Sequence, residues 1–217
     1  MEKSYIKNMD IHYLSSIGFL EEQIQFIFKL VNRGIQEKLY VNSHVPYHNL
    51  KHIERVLCYC MWILNQKKNN GEILENQDIL FYSALYHDCG RSLLVLNKMH
   101  GFVGAQIAKE KLKDTFDSKK VIGICLLIET HASRVDEVDF KNITFSKEEK
   151  ENIQILSNIL KDADALDRNR IKLFKFAQCN PNFLKTKEAK EIYLQSDTFY
   201  LKYQDATHQV RLLENKK

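Results

Sequence analysis

The sequence predicts an all-α fold, and three observations carry that prediction. Only 7 Gly and 2 Pro stand in 217 residues, so turn-making residues are scarce. Lys, Glu, Leu, Ile, Asn and Gln fill long stretches, which suits helices better than closely spaced strands. Apolar residues recur at steps of three and four along much of the chain, the period of a helix with one buried face. With 44% hydrophobic content and no Pro- or Gly-rich seam, the chain reads as a single domain over 1–217, with flanking helices in 1–43 and 171–217 around a motif-bearing core of about 44–170.

The elements follow in order. From Glu21 to Tyr40 the set Ile24, Ile27, Phe28, Leu30, Val31, Ile35 and Leu39 marks one amphipathic helix. A second is expected from about Asn49, a candidate N-cap, to Lys67, carrying Ile53, Val56, Leu57, Tyr59, Cys60, Ile63 and Leu64. The run Lys67-Lys-Asn-Asn-Gly71 breaks it. Asn76 or Asp78 opens a third helix that ends near Asp88, before Gly90, so His87-Asp88 is expected at a helix C-terminus. Further helices are expected over Gly101 to Phe116 and over Lys119 to Ala132, the latter with Ser118 as a candidate cap. Ser146-Lys-Glu-Glu149 is a capping box and launches a long helix through Leu166. After Asn180-Pro181-Asn182 at least one more helix is expected between Lys187 and Leu213.

The net charge of +4 comes from 32 basic and 28 acidic residues mixed along the chain, without the basic block that grips nucleic acid. No stable nucleic-acid partner is expected, though mild basicity helps attract a phosphate ester. No apolar run has the length of a signal core or a membrane span, so the expectation is a soluble, cytoplasmic protein with no membrane partner; an exported effector fits the same features. Five Cys in an odd, irregular spacing read as reduced packing residues. Nothing in the composition fixes an oligomeric state.

Chemistry enters with a file of candidate metal ligands: His52, His87-Asp88, His100, His131 and Asp164. The dipeptide alone means little, since about 0.4 His-Asp pairs are expected by chance in a chain of this composition. The ordered set means more, because each member lies on or beside a different predicted helix, and helical bundles build metal sites from such inward-facing groups. A carboxylate beside Leu85-Tyr86 at a helix end is costly to bury without a partner, and a cation is one such partner. In Pro46-Tyr-His-Asn-Leu-Lys-His52, His48 either shares a helical face with His52 or, if Asn49 caps the helix, stands at the pocket mouth as a proton donor; the second arrangement is preferred. His44 is expected only near the rim, and His12 and His208 are left as surface or core residues. In Lys161-Asp-Ala-Asp-Ala-Leu-Asp167, Asp164 is the expected inward ligand, while Asp162 and Asp167 are either solvated or orient a ligand from behind. Lys51, Arg91 and Arg168 are candidate phosphate contacts, and Arg168 sits four residues beyond Asp164, where it can pair with it instead.

This order of residues resembles the HD superfamily of metal-dependent phosphohydrolases, an all-helical fold with a first His, a His-Asp doublet and a later Asp. The resemblance covers about residues 44 to 170 and implies a single-domain helical bundle in which His52, His87, Asp88 and Asp164 hold one metal. Tyr47-His-Asn and His52 look like a segment of class I cyclic-nucleotide phosphodiesterases whose earlier His is the proton donor, which implies that role for His48. His100-Gly-Phe-Val-Gly-Ala105 and Thr130-His131 look like the additional ligands of dinuclear members, which implies a second metal. Cys89-Gly90-Arg91 departs from the phosphodiesterase pattern, so cyclic AMP or GMP is not singled out. The same five-position order occurs in di-iron oxygenases of the superfamily.

The expected activity is hydrolysis of a nucleotide or related phosphoester or phosphoanhydride by metal-activated water. Asp88 would bridge the ions or orient the water, and His48 would protonate the leaving group. One or two divalent ions are expected, Mn or Fe first, with Mg, Co, Ni or Zn also compatible. The alternatives are a di-iron oxygenase and a non-catalytic nucleotide-binding module, the latter disfavoured because every candidate ligand is retained.

Overall fold

The computed structural model describes residues 8–40, 50–91, 99–133, 138–141, 143–171 and 178–214. Among them are eight α-helices and no strand: α1 (Asn8–Ser16), α2 (Glu21–Gln36), α3 (Leu50–Asn69), α4 (Gln77–Tyr86), α5 (His100–Leu112), α6 (Ser118–His131), α7 (Lys147–Asp167) and α8 (Lys187–Glu214). The all-α expectation holds. Element ends moved by a few residues, each for a local reason. Helix α2 stops at Gln36, and Lys38 turns into the left-handed region at φ 55°. Asp117, not Ser118, caps α6, because its extended backbone lets the carboxylate accept from Lys120 N at 2.9 Å. Asn76 precedes α4 with φ 52° and makes no side-chain cap, and the helix ends at Tyr86, leaving His87-Asp88 in the turn that follows. The capping box forms as read: Ser146 Oγ accepts from Glu149 N and Glu149 Oε2 accepts from Ser146 N.

The core lies between α3, α4, α6 and α7: α3 packs on α4 and α7, and α6 packs on α4 and α7, while α5 packs on α6 and α4. Ile53, Val56, Leu57 and Ile63 of α3, Leu80, Ala84 and Leu85 of α4, Ile124, Leu127 and Ile128 of α6, and Ile153, Leu156, Ile159, Leu160 and Ala163 of α7 form it, all essentially without solvent contact. Helix α8 packs on α1, α3 and α7, where Phe199 fits among Tyr13, Tyr59 and Trp62. All five cysteines are free thiols, three of them buried.

Two features position the functional end of the bundle. First, the C-terminal ends of α2 and α4 are tied together: Tyr40 O–H donates to Leu85 O, Tyr86 O–H donates to Glu37 Oε2, and Arg33 Nε donates to Glu37 Oε1 at 2.6 Å. Second, glycines let α5 approach closely. A Cβ on Gly101 would stand 2.8 Å from Ile128 O, and one on Gly90 would stand 2.3 Å from His100 O and 2.5 Å from Gly104 N. A side chain at Gly90 would push His100 away from the turn that carries Asp88, and one at Gly101 would push α5 away from the end of α6 that carries His131.

Gly101→Ala is therefore expected to destabilise the fold by about 1–3 kcal/mol, because a backbone clash outweighs the small gain in helix propensity. Urea unfolding of the two proteins measures it, and equal or greater stability in the variant contradicts the close-approach account.

Candidate metal centre

Six candidate ligands meet at one end of the bundle. His52 comes from the first turn of α3, His87 and Asp88 from the turn after α4, His100 from the start of α5, His131 from the end of α6 and Asp164 from the last turn of α7. Residues separated by more than a hundred positions are thus brought within hydrogen-bonding range. His52, His87, Asp88 and His100 are each at most 3% exposed. The Asp164 side chain, at 26%, is the open side of the group.

Asp88 organises two sets. Its Oδ2 lies 3.5 Å from His52 Nε2 and 3.6 Å from His87 Nε2. Asp164 Oδ1 closes this first set at 3.3 Å from His52 Nε2 and 3.9 Å from His87 Nε2, and the two imidazole nitrogens stand 3.2 Å apart. Asp88 Oδ1 faces the second set, 3.3 Å from His100 Nε2 and 3.6 Å from His131 Nε2, with those nitrogens 3.0 Å apart. Donors bound at about 2.0–2.2 Å to one ion, with bonds meeting at 90–109°, stand roughly 2.8–3.6 Å from each other. All but one of the separations fall in that range. The exception, His87 to Asp164, opens toward the exposed side.

The donor chemistry fits a cation. His87 Nδ1–H donates to Ala84 O at 2.8 Å and His131 Nδ1–H donates to Ile128 O at 2.5 Å, each imidazole using a carbonyl left unpaired in the last turn of its own helix. His52 Nδ1–H donates to Asp167 Oδ2 at 2.7 Å. With Nδ1 committed as donor, Nε2 of all three is left as a lone pair directed at the others and at the carboxylates. Such a set repels itself unless a positive charge lies between its members. The negative ends of α4, α6 and α7 add to the same demand.

In the ion-free protein one proton answers it. Burial disfavours an imidazolium at His52, but its hydrogen bonds with Asp164, Asp167 and Asp88 outweigh that and hold its pKa up to about 10. Burial pushes His87 down to about 3, so it stays neutral. Burial alone would raise Asp164, and His52 more than offsets this, holding the carboxylate well below its usual range.

Behind His52 stands a network that the sequence reading did not assemble. Asp167 is fully buried and accepts from His52, from Arg55 Nε at 2.5 Å and Nη2 at 3.1 Å, while Arg170 Nη1 lies 3.1 Å from its Oδ2. Of the two readings for Asp167, the orienting one is what the structure has. The available signal was spacing: Arg55 follows His52 by three residues and Asp167 follows Asp164 by three, one turn along the same faces. Asp162 fits neither of its readings, because it is buried and accepts from Lys185 N, Thr186 N and Thr186 Oγ1, anchoring the entry to α8.

Among the candidate phosphate contacts, Arg91 reaches the cluster itself, donating from Nε to Asp88 Oδ1 at 2.6 Å. Lys51 pairs with the buried Glu54 at 2.9 Å, and Arg168 is exposed at the C-cap of α7. His12 is exposed, as expected. His44 and His48 lie outside the described residues, as does the Asn49 cap, and nothing is described of the His208 side chain. No helix among the described residues is long and apolar enough to cross a membrane.

The family model described as the HD domain matches residues 49–169, more than half of the chain and all six candidate ligands. No curated protein and no solved structure gives a significant match.

Two outcomes follow from this geometry. A first divalent ion must displace the His52 proton, so at pH 7–8 about one proton is released per ion and affinity rises with pH until His52 deprotonates near 10. Calorimetry in buffers of different ionisation enthalpy measures it, and proton-free binding contradicts the assignment. Asp167→Asn should weaken the first ion about 10–100-fold and, by leaving Arg55 and Arg170 buried without their counter-charge, destabilise the protein by about 3 kcal/mol; unchanged affinity would remove the orienting role.

Proposed function

The chain belongs to the HD domain family, and from that membership and the site geometry we propose that it is a metal-dependent phosphohydrolase acting on a nucleotide or a related phosphoester. The observation that carries the reading is the bridging position of Asp88, whose two carboxylate oxygens each face a separate set of imidazole lone pairs.

In the proposed arrangement His52, His87, Asp88 and Asp164 would hold one divalent ion and Asp88, His100 and His131 a second, with His87 also within reach of Asp88 and His131. Mn²⁺ and Fe are the proposed occupants, since mixed nitrogen and oxygen donors suit them. Such ions supply Lewis acidity toward a phosphoryl oxygen and an acidified water as nucleophile.

The chain's own residues do the rest. Asp88, almost without solvent contact and held from both sides, would align the two sets and keep a negative charge between them. The partly exposed Asp164 marks where a substrate would enter. Arg91, at 17% exposure, stands close enough to trade Asp88 for a phosphate oxygen, and guanidinium geometry suits that bidentate contact. From the sequence alone, His48 is the proposed proton donor to the leaving group, four residues before His52.

The deciding experiment is a metal analysis followed by an anaerobic screen against cyclic nucleotides, nucleoside mono- and triphosphates, dinucleoside polyphosphates and guanosine tetraphosphate. Turnover without oxygen, lost on chelation and restored by Mn²⁺ or Fe²⁺, is the expected result. Asp88→Ala should abolish that turnover and keep the helical circular-dichroism signal. Oxygen-dependent turnover would replace hydrolysis with the oxygenase chemistry, and full activity in Asp88→Ala would remove the assigned role of Asp88.

A further inference from the structure

The two sets of donors are not electrostatically equal. The first has Asp164 to itself and shares Asp88, so two carboxylates answer the two charges of one divalent ion. Among the described residues, the second has two imidazoles and the other oxygen of the same Asp88. That oxygen is already occupied. Arg91 Nε donates to Oδ1 at 2.6 Å, closer than either His100 Nε2 at 3.3 Å or His131 Nε2 at 3.6 Å. Asp167, behind His52, gives no help, because Arg55 and Arg170 both lie against it.

Counting charges in order shows the consequence. The first ion leaves the pair of carboxylates balanced. A second adds two positive charges beside a resident guanidinium, in surroundings where charges are weakly screened, and among the described residues its set holds no carboxylate besides Asp88. An anion brought by a ligand would supply the counter-charge. The Arg91 side chain is 17% exposed, whereas Asp88 is 1% exposed, so of the two partners it is the arginine that solvent and a dissolved anion can reach.

We propose that Arg91 is an internal counter-ion that makes the two metal positions unequal, so that one divalent ion loads alone and the second loads together with a phosphate anion that takes Arg91 off Asp88. The inference rests on the metal-centre reading above and adds an order of loading to it. Because binding free energies are reciprocal, the second ion tightens phosphate by the same factor by which phosphate tightens the second ion.

The test is a Mn²⁺ titration of chelator-stripped full-length protein, with free Mn²⁺ followed by its electron paramagnetic resonance signal, with and without inorganic phosphate. The wild-type protein should bind one ion tightly and a second about tenfold or more weakly, and phosphate should narrow that gap by about tenfold. Arg91→Gln should tighten the second ion about tenfold without phosphate and lose most of the phosphate effect, while Arg91→Lys, which keeps the charge, should behave as wild type. Two ions of equal affinity in the wild-type protein, or a second ion indifferent to both phosphate and Arg91→Gln, would overturn the inference and leave the metal centre standing. Absence of any tight ion would overturn both. The wild-type arms need no variant, so a failure of Arg91→Gln to fold does not remove the test.

Discussion

The burial of the Asp88 carboxylate constrains everything around it. An anion with almost no solvent contact costs several kcal/mol unless each oxygen finds a compensating charge or donor. Here one oxygen faces His52 and His87 and the other faces Arg91, His100 and His131. Asp167 repeats the problem behind His52, and Asp164 adds a third carboxylate at the open side of the group. The end of the bundle is therefore a place where negative charge accumulates and positive charge must be supplied, by a proton, by arginine or by a metal.

The helices solve the geometric half of that problem with their own ends. A helix leaves its last carbonyls unpaired, and His87 and His131 each lie where Nδ1–H can satisfy one of them. The same hydrogen bond fixes the tautomer and aims Nε2 outward. Termination of α4 and α6 and orientation of two candidate ligands are thus one event. His52 sits at the beginning of its helix, where its own backbone offers no such acceptor, and Asp167 from α7 supplies it across the interface. Burial alone would raise Asp167, and Arg55 together with His52 more than offsets this and holds the carboxylate below its usual range, so the first set has a charged back wall as well as a mouth at Asp164.

Much of this was legible in the sequence, and the limits have physical causes. His52, the doublet and Asp164 each lie on or beside a separate amphipathic run, and the apolar periodicity around them points the ligands inward. Whether His100 and His131 turned inward was not readable from spacing, because that depends on how closely α5 approaches its neighbours. Gly90, Gly101 and Gly104 set that distance, through contacts with backbone atoms of other segments that no local pattern records. Within Asp162-Ala-Asp-Ala-Leu-Asp167, helical spacing puts Asp164 and Asp167 on one face and Asp162 on another. What each face meets was not available: the arginines in one case and the entry to α8 in the other. Asp117 and Ser118 are adjacent residues that both cap helices well, and composition cannot rank them.

The balance of charge also bears on what the site can accept. A single divalent ion offsets Asp88 and Asp164, and Asp167 is outnumbered by Arg55 and Arg170, so Arg91 leaves the loaded end of the bundle positive. A neutral substrate would leave that charge unanswered in a partly enclosed mouth, whereas a phosphate would answer it and gain a guanidinium partner. The mild basicity of the whole chain, +4, acts in the same direction at longer range. Among the described residues, one ion would balance Asp88 and Asp164 while Arg91 adds a further positive charge, and this is the electrostatic support for the anionic substrate proposed above.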